Sequence, residues 1–116
     1  IETMIAEKIH TIYEKGFLNS RSKDFYDLHI LYTLKKDTIE VGILQSACIR
    51  TFDYRKTVYE PQKIIEFLNT IKRDDIFSTR WESYVSKNDY VKENQFHRII
   101  DSAINLLKLI DNLHSY

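Results

Sequence analysis

The sequence predicts an all-α protein, a bundle of about six helices that opens with a helical hairpin. The chain of 116 residues contains only two glycines and one proline, too few for the turns of an all-β domain of this length. Apolar residues also recur at intervals of three and four along most of the chain. This length suits one core, so we expect residues 1–116 to form a single helical domain.

The hairpin is predicted from two consecutive amphipathic segments. The first helix is expected from about Ile1 to Lys15, where Gly16 follows and should end it. Asn19, Ser20 and Ser22 offer N-cap oxygens for a second helix that ends near Lys36. The apolar positions of the two helices are Ile1, Ile5, Ile9 and Ile12, and then Phe25, Leu28, Leu31 and Tyr32.

Four further helices are expected after the hairpin. Asp37 and Thr38 can cap the third, and Asp53–Tyr59 is a connector for which extended backbone is one option. Pro61 suits the first turn of the fourth, because its missing N–H is not needed there. Their expected core positions are Val41, Leu44, Cys48 and Phe52 in the third helix, and Ile64, Ile65, Leu68 and Ile71 in the fourth.

The last two helices are predicted to complete the core. Asp74 or Asp75 can cap the fifth helix, and the sixth is expected from about Val91 to Leu113. The apolar stripe of the sixth helix is wide enough to anchor a bundle. The expected core positions are Phe77, Trp81, Tyr84 and Val85, followed by Phe96, Ile99, Ile100, Ala103, Leu107, Ile110 and Leu113.

Composition limits the classes of partner. Seventeen basic and seventeen acidic residues leave no global field for nucleic acid or an anionic membrane, so any RNA contact must be local. The single cysteine, Cys48, has no disulfide partner, which is typical of a reducing compartment. No apolar run approaches the roughly 20 residues of a membrane-spanning helix. We therefore expect a cytoplasmic protein with no membrane contact.

Two charged residues fall where the helical pattern predicts a core. At about 100° per residue, Lys8 lies inside the apolar stripe of the first helix, and Asp24 lies between Leu28 and Leu31 on the second. An isolated buried charge is costly and normally finds a partner. Lys8 and Asp24 are therefore expected either to pair across the hairpin or to line one pocket.

A purely structural explanation stays open for both residues. A lysine at the edge of a stripe can extend its ammonium to water, and an aspartate in a first helical turn complements the helix dipole. Arg21 and Lys23, however, stand at the same helix start, where exposed N–H groups already favour anions. The local chemistry of this helix start suits a phosphate.

Several short segments form a recognisable pattern in chain order. They are Ala6–His10 (AEKIH), Ser20–Leu28 (SRSKDFYDL), Ala47–Phe52 (ACIRTF) with Arg55 and Thr57, and Trp81 before the last helix. These segments resemble the AbiEii/AbiGii nucleotidyltransferase toxins of type IV toxin–antitoxin systems, which act in abortive phage infection. The segment around Lys8 and the KDxxDL motif within Ser20–Leu28 are the specific pieces.

The resemblance implies roles for five residues. Lys8 matches the family lysine that contacts nucleotide phosphates, and Asp24 matches the later essential aspartate. Arg21 matches the family arginine just before that aspartate, and it would either bind phosphate or organise the helix start; Lys23, at the same helix start, would assist phosphate binding. Asp27 is a secondary candidate that suits a helix cap or an ion pair equally well. The implied reaction is transfer of a nucleotide from an NTP to an RNA acceptor such as a tRNA end.

Other features expected of this family do not occur in the sequence. There is no Asp-x-Asp pair after a glycine-rich turn, the element that holds nucleotide and magnesium. We therefore expect this chain to be the C-terminal part of a longer protein, inactive alone and without a metal of its own. Mg²⁺ and NTP would bind through the full-length protein, and an AbiEi-like antitoxin would act indirectly.

Alternative sites and functions are less well supported by the pattern. The four histidines are too scattered for a compact metal site, and Cys48 fits a core position. A HEPN-type ribonuclease requires Arg and His closer together than Arg21 and His29, which seven residues separate. The open alternative is a non-catalytic interaction or RNA-binding module, in which Lys8 and Asp24 merely pair. Tyr26 and Tyr54, which lie off the main stripes, are candidates for RNA contact.

Overall fold

The protein is described here by a computed structural model that covers residues 1–16, 22–91 and 94–112, without the side chain of residue 112. In these ranges the chain forms α-helices and no strands, which confirms the all-α prediction. The helices are α1 (Glu2–Lys15), α2 (Ser22–Lys35), α3 (Val41–Tyr54), α4 (Pro61–Lys72), α5 (Asp75–Lys87) and α6 (Phe96–Asn112).

The end of α1 follows the sequence prediction. Gly16 has a φ of 53°, in the left-handed region that favours glycine, and its amide donates to the Ile12 carbonyl. Ser22 is the first residue of α2. The other suggested capping residues, Asn19 and Ser20, lie outside the described residues, as does the turn between the two helices.

The core is built around α6. This helix packs against both α2 and α4, while α1 packs mainly against α3. Fully burying a leucine or isoleucine side chain contributes about 1.5–3 kcal/mol, so the many apolar residues of α6 make it the central element of the bundle. Its buried apolar residues are Ile99, Ile100, Ala103, Ile104, Leu106, Leu107 and Ile110.

The predicted cap of α3 is wrong. Residues Lys36–Thr38 form a short 3₁₀ turn, and the Thr38 hydroxyl donates to the Lys35 carbonyl over 2.8 Å instead of capping α3. The next residue, Ile39, is buried, which requires the chain to turn inward before a new helix can begin. Helix α3 therefore starts at Val41, with no side-chain cap.

The connector and the last helix also differ in their bounds. Helix α3 continues to Tyr54, so the start of the predicted Asp53–Tyr59 connector is helical. Helix α6 begins at Phe96 and not near Val91, because Val91 is buried within a 3₁₀ turn. The Trp81 indole donates to the Asn94 carbonyl over 3.0 Å and holds the non-helical segment against α5. Leu113 lies outside the described residues.

A capping prediction follows from the start of α5. The Asp74 carboxylate accepts from the amides of Ile76 and Phe77, whereas its neighbour Asp75 is the first helical residue. We expect Asp74→Ala to lower the free energy of unfolding by about 1 kcal/mol, because two helix amides lose their acceptor. Urea denaturation would measure the change.

The matched control for this prediction is Asp75→Ala, which removes the same charge one residue later. This variant removes no capping acceptor, so we expect its free energy of unfolding to fall by only about 0.3 kcal/mol, the contribution of the charge to the helix dipole. Equal losses in the two variants would show that the Asp74 cap contributes nothing beyond its charge.

Candidate functional site

Lys8 bridges the first two helices through an ion-pair cluster. Its Nζ donates to Asp27 Oδ2 over 2.9 Å and lies 3.8 Å from Asp24 Oδ1. Lys23 Nζ, one helical turn before Asp27, donates to the same Oδ2 atom over 2.9 Å. Two lysines and two aspartates thus meet where α1 crosses the start of α2.

Solvent exposure rises steadily across this cluster. The exposed fraction of the side chain is 6% for Asp24, 22% for Asp27, 26% for Lys8 and 59% for Lys23. Asp24 is therefore the inner carboxylate and Lys23 the outermost ammonium. The expected pairing of Lys8 with Asp24 is observed, but the shorter bond is to Asp27.

The cluster shifts the pKa values of Asp27 and Lys23. Partial burial alone would raise the pKa of Asp27, but the hydrogen bonds from Lys23 and Lys8, together with their charges, outweigh burial and hold that pKa below its ordinary value. The hydrogen bond to Asp27 raises the pKa of Lys23. Asp27 thus remains a carboxylate at neutral pH and keeps both ammonium groups together.

A groove opens beside the cluster along α1 and α2. Its volume is about 610 Å³, within the range of roughly 300–1,000 Å³ that is typical of small-molecule sites. Met4 and Leu34 at its edge are more than half exposed. The groove is therefore lined both by charged side chains of the cluster and by apolar side chains. Its lining residues are Met4, Lys8, Tyr26, Asp27, Ile30, Leu31 and Leu34.

The sequence-predicted site residues are only partly brought together by the fold. Lys8, Asp24 and Lys23 meet, and Arg21 lies outside the described residues. Asp27, which the sequence ranks second, is the residue that contacts both lysines. Its spacing of three residues from Asp24 and four from Lys23 is the signal that could have placed it on the same face.

Cys48, His10 and His29, which the sequence pattern does not favour as site residues, make structural contacts. Burial raises the pKa of the Cys48 thiol to about 12, so this cysteine is protonated at neutral pH, as expected for a core position. His10 pairs with the Thr57 hydroxyl over 3.1 Å, and His29 with that of Ser102 over 2.7 Å. No group of three potential metal ligands occurs in the described part of the chain.

The comparison with protein families agrees with this geometry. The family model described as nucleotidyl transferase AbiEii toxin, type IV toxin–antitoxin system, matches residues 1–102, a span that includes the whole ion-pair cluster. The chain belongs to the AbiEii family. Searches of curated proteins and of solved structures gave no significant match.

Membership of the AbiEii family assigns the chain a broad role. It is a domain of a nucleotidyltransferase toxin, and a type IV toxin–antitoxin system implies an antitoxin partner. None of the helices in the described ranges has the length and hydropathy needed to cross a membrane.

A pH prediction follows from the lowered pKa of Asp27. Since the folded-state pKa lies below the unfolded one, the ion pairs stabilise this AbiEii domain above the unfolded pKa of about 3.9. That stability is lost as the pH falls through the folded pKa. We expect the free energy of unfolding of Asp27→Asn to fall less steeply with decreasing pH than that of wild type. Urea denaturation between pH 2 and 7 would measure it.

The matched control is Asp53→Asn at an exposed position of α3. This variant should follow the wild-type profile. If Asp27→Asn also followed it, the ion pairs would contribute nothing to the stability of the fold.

Proposed function

We propose that this domain forms one wall of a nucleotidyltransferase site, at which a nucleotide is transferred from an NTP to an RNA acceptor such as the end of a tRNA. Lys8 is the proposed triphosphate contact and Asp24 the proposed catalytic carboxylate. The observation that carries the proposal is the cluster in which Lys8 meets Asp24 and Asp27 beside an open groove.

The position of Lys8 suits a phosphate contact. The Lys8 side chain is only 26% exposed, so its charge is weakly screened, yet it lines the groove and is not sealed in the core. An ammonium already oriented by a carboxylate needs little reorganisation to stabilise the charge that develops on a triphosphate. Asp27 is thus proposed as the positioning residue for Lys8.

The two carboxylates would then differ in role. Asp24 lies on the core side of the Lys8 ammonium, and its counterpart in the family resemblance is an essential residue. Asp27 is held by two lysines and faces the groove. When a triphosphate binds, its oxygens would replace Asp27 as the hydrogen-bond acceptor of Lys8, of Lys23 or of both. Arg21 would assist this binding.

Magnesium is implied for the family, but these residues do not fit a magnesium site by themselves. Mg²⁺ prefers several oxygen ligands in octahedral geometry, whereas Asp27 is engaged by two ammonium groups and the described residues hold no third carboxylate in the cluster. We therefore assign the metal and the bulk of NTP binding to a segment outside this chain, which would also make the chain inactive alone.

The non-catalytic alternative predicts the same resting ion pair. If the domain serves only interaction or RNA binding, Lys8 stabilises the hairpin by neutralising Asp24 and Asp27, and no nucleotide needs to approach it. A single substitution of Lys8 cannot separate these functions, because it also removes one positive charge from beside Asp24 and Asp27.

The test compares Lys8→Met with the double variant Lys8→Met/Asp27→Asn in the complete protein that contains this chain. Transfer of labelled NTP to total tRNA is measured alongside thermal unfolding. We expect the double variant to regain part of the lost stability, since Asp27 is neutral but Asp24 still lacks Lys8. Its transfer should stay at least about a hundredfold below wild type, the scale of losing one preorganised electrostatic contact.

Recovery of transfer together with stability would contradict the proposal, because it would make Lys8 a purely structural counter-ion. Lys35→Met, at an exposed position at the end of α2, is the matched control and should transfer at the wild-type rate.

Asp24→Asn and Asp27→Asn separate the two carboxylates in the same assay. Asp24→Asn should lower kcat severely, whereas Asp27→Asn should mainly raise KM for the NTP because Lys8 and Lys23 lose their common anchor. A folded Asp24→Asn variant with wild-type kcat would remove Asp24 from the site.

A further inference from the structure

A second groove runs between the start of α2 and one face of α5. Its lining residues on α5 recur at intervals of one, three and four, so they share a single helix face. The volume of this groove is about 300 Å³. It is lined by Ser22, Thr79, Arg80, Ser83, Tyr84 and Lys87.

The charged residues that line this second groove are all cationic. Arg80 and Lys87 are its charged lining residues, and no carboxylate is among the residues that line it. Of the two acidic residues of the same helix, Asp75 begins it and Glu82 lines a different groove, together with Trp81 and His97. Two cations and four hydroxyl groups suit an anionic, hydrogen-bonding ligand in a protein whose total charge is zero.

An aromatic cluster connects this groove to the Lys8 site. The hydroxyl of Tyr84, in the groove, is hydrogen-bonded to that of Tyr90. The ring centroids of Tyr90 and Tyr26 are 5.5 Å apart. Tyr26 in turn precedes Asp27 and lines the groove beside Lys8. Tyr90 is 58% exposed, so its ring is accessible to a planar group. The cationic groove and the ion-pair cluster are thus joined through three tyrosines.

We infer that this surface binds the single-stranded end of the RNA acceptor, with its phosphates along Arg80 and Lys87 and a base on Tyr90. The inference rests on the proposed function, which supplies RNA as the acceptor. A single strand fits better than a duplex, because its unstacked bases can stack on an aromatic ring while cations follow the backbone. The strand would lead toward Lys8, where the nucleotide is transferred.

The phosphate part of the inference is tested with Arg80→Ala/Lys87→Ala in the complete protein. The probe is a short fluorescent single-stranded RNA ending in CCA, followed by anisotropy over a range of salt concentrations. We expect affinity to fall about tenfold, and the salt slope to decrease by about 1.4, because two phosphate contacts of a single strand are lost.

The matched control is Arg73→Ala/Lys108→Ala, which removes one arginine and one lysine from exposed positions elsewhere. This control should bind the RNA like wild type. Because Arg80 also lies over the Phe77 ring at 5.2 Å, the exposed Lys87→Glu is a second test that does not disturb that packing, and it too should weaken binding.

The stacking part is tested by Tyr90→Ala against Tyr90→Phe. Loss of the ring should weaken RNA binding about tenfold, within the range measured for base–aromatic stacking, whereas phenylalanine should retain most of the affinity. Unchanged binding in Tyr90→Ala would overturn this part of the inference.

The transfer assay separates this inference from the proposed function. The groove variants should raise KM for RNA and leave KM for the NTP unchanged. If wild type transfers nucleotide to RNA but Arg80→Ala/Lys87→Ala and Lys87→Glu bind RNA as well as the control, the inference fails alone and the groove would suit a protein partner instead. If the wild type transfers nothing to RNA, the proposed function fails first.

Discussion

The ion pair between Lys8 and Asp27 is the interaction on which the candidate site depends. It joins α1 to α2 through side chains 19 residues apart, although α1 packs less closely against α2 than against α3. Surface ion pairs contribute about 0–1 kcal/mol, whereas breaking a buried pair costs about 3–5 kcal/mol. With Lys8 and Asp27 about three-quarters buried, this pair belongs between those limits.

The apolar core makes this charged cluster possible. Helix α2 packs on α6, which fixes the face of α2 on which Asp24 and Asp27 lie. Helix α1 packs on α3, and the buried Ile5 and Ile9 set the rotation of α1 that directs Lys8 toward α2. The position of the charges is therefore a consequence of two separate packing contacts, and a change in either would move one side of the ion pair.

Much of this arrangement could be predicted from the sequence, and the failures have physical causes. The helical periodicity located every α-helix of the described ranges. The positions of Lys8 and Asp24 in apolar stripes left pairing as one of the expected arrangements, and this is the arrangement observed. The start of α3 was wrong because burial of Ile39 outweighed the capping potential of Asp37 and Thr38. The importance of Asp27 was underestimated because helical angles within one element do not give distances between two helices. The α5 groove could not be predicted either, because it forms where α5 packs near the start of α2, and a local sequence pattern does not show which helices are neighbours.

A structure of the complete protein with a non-hydrolysable NTP tests the central claim most directly. The quantity to be measured is the distance from Lys8 Nζ to the nearest phosphate oxygen. We expect a hydrogen bond of about 2.7–2.9 Å, with the contact to Asp27 lengthened or shared. A bound triphosphate that leaves Lys8 on Asp27 and Asp24, with no phosphate oxygen within hydrogen-bond range, would contradict the account.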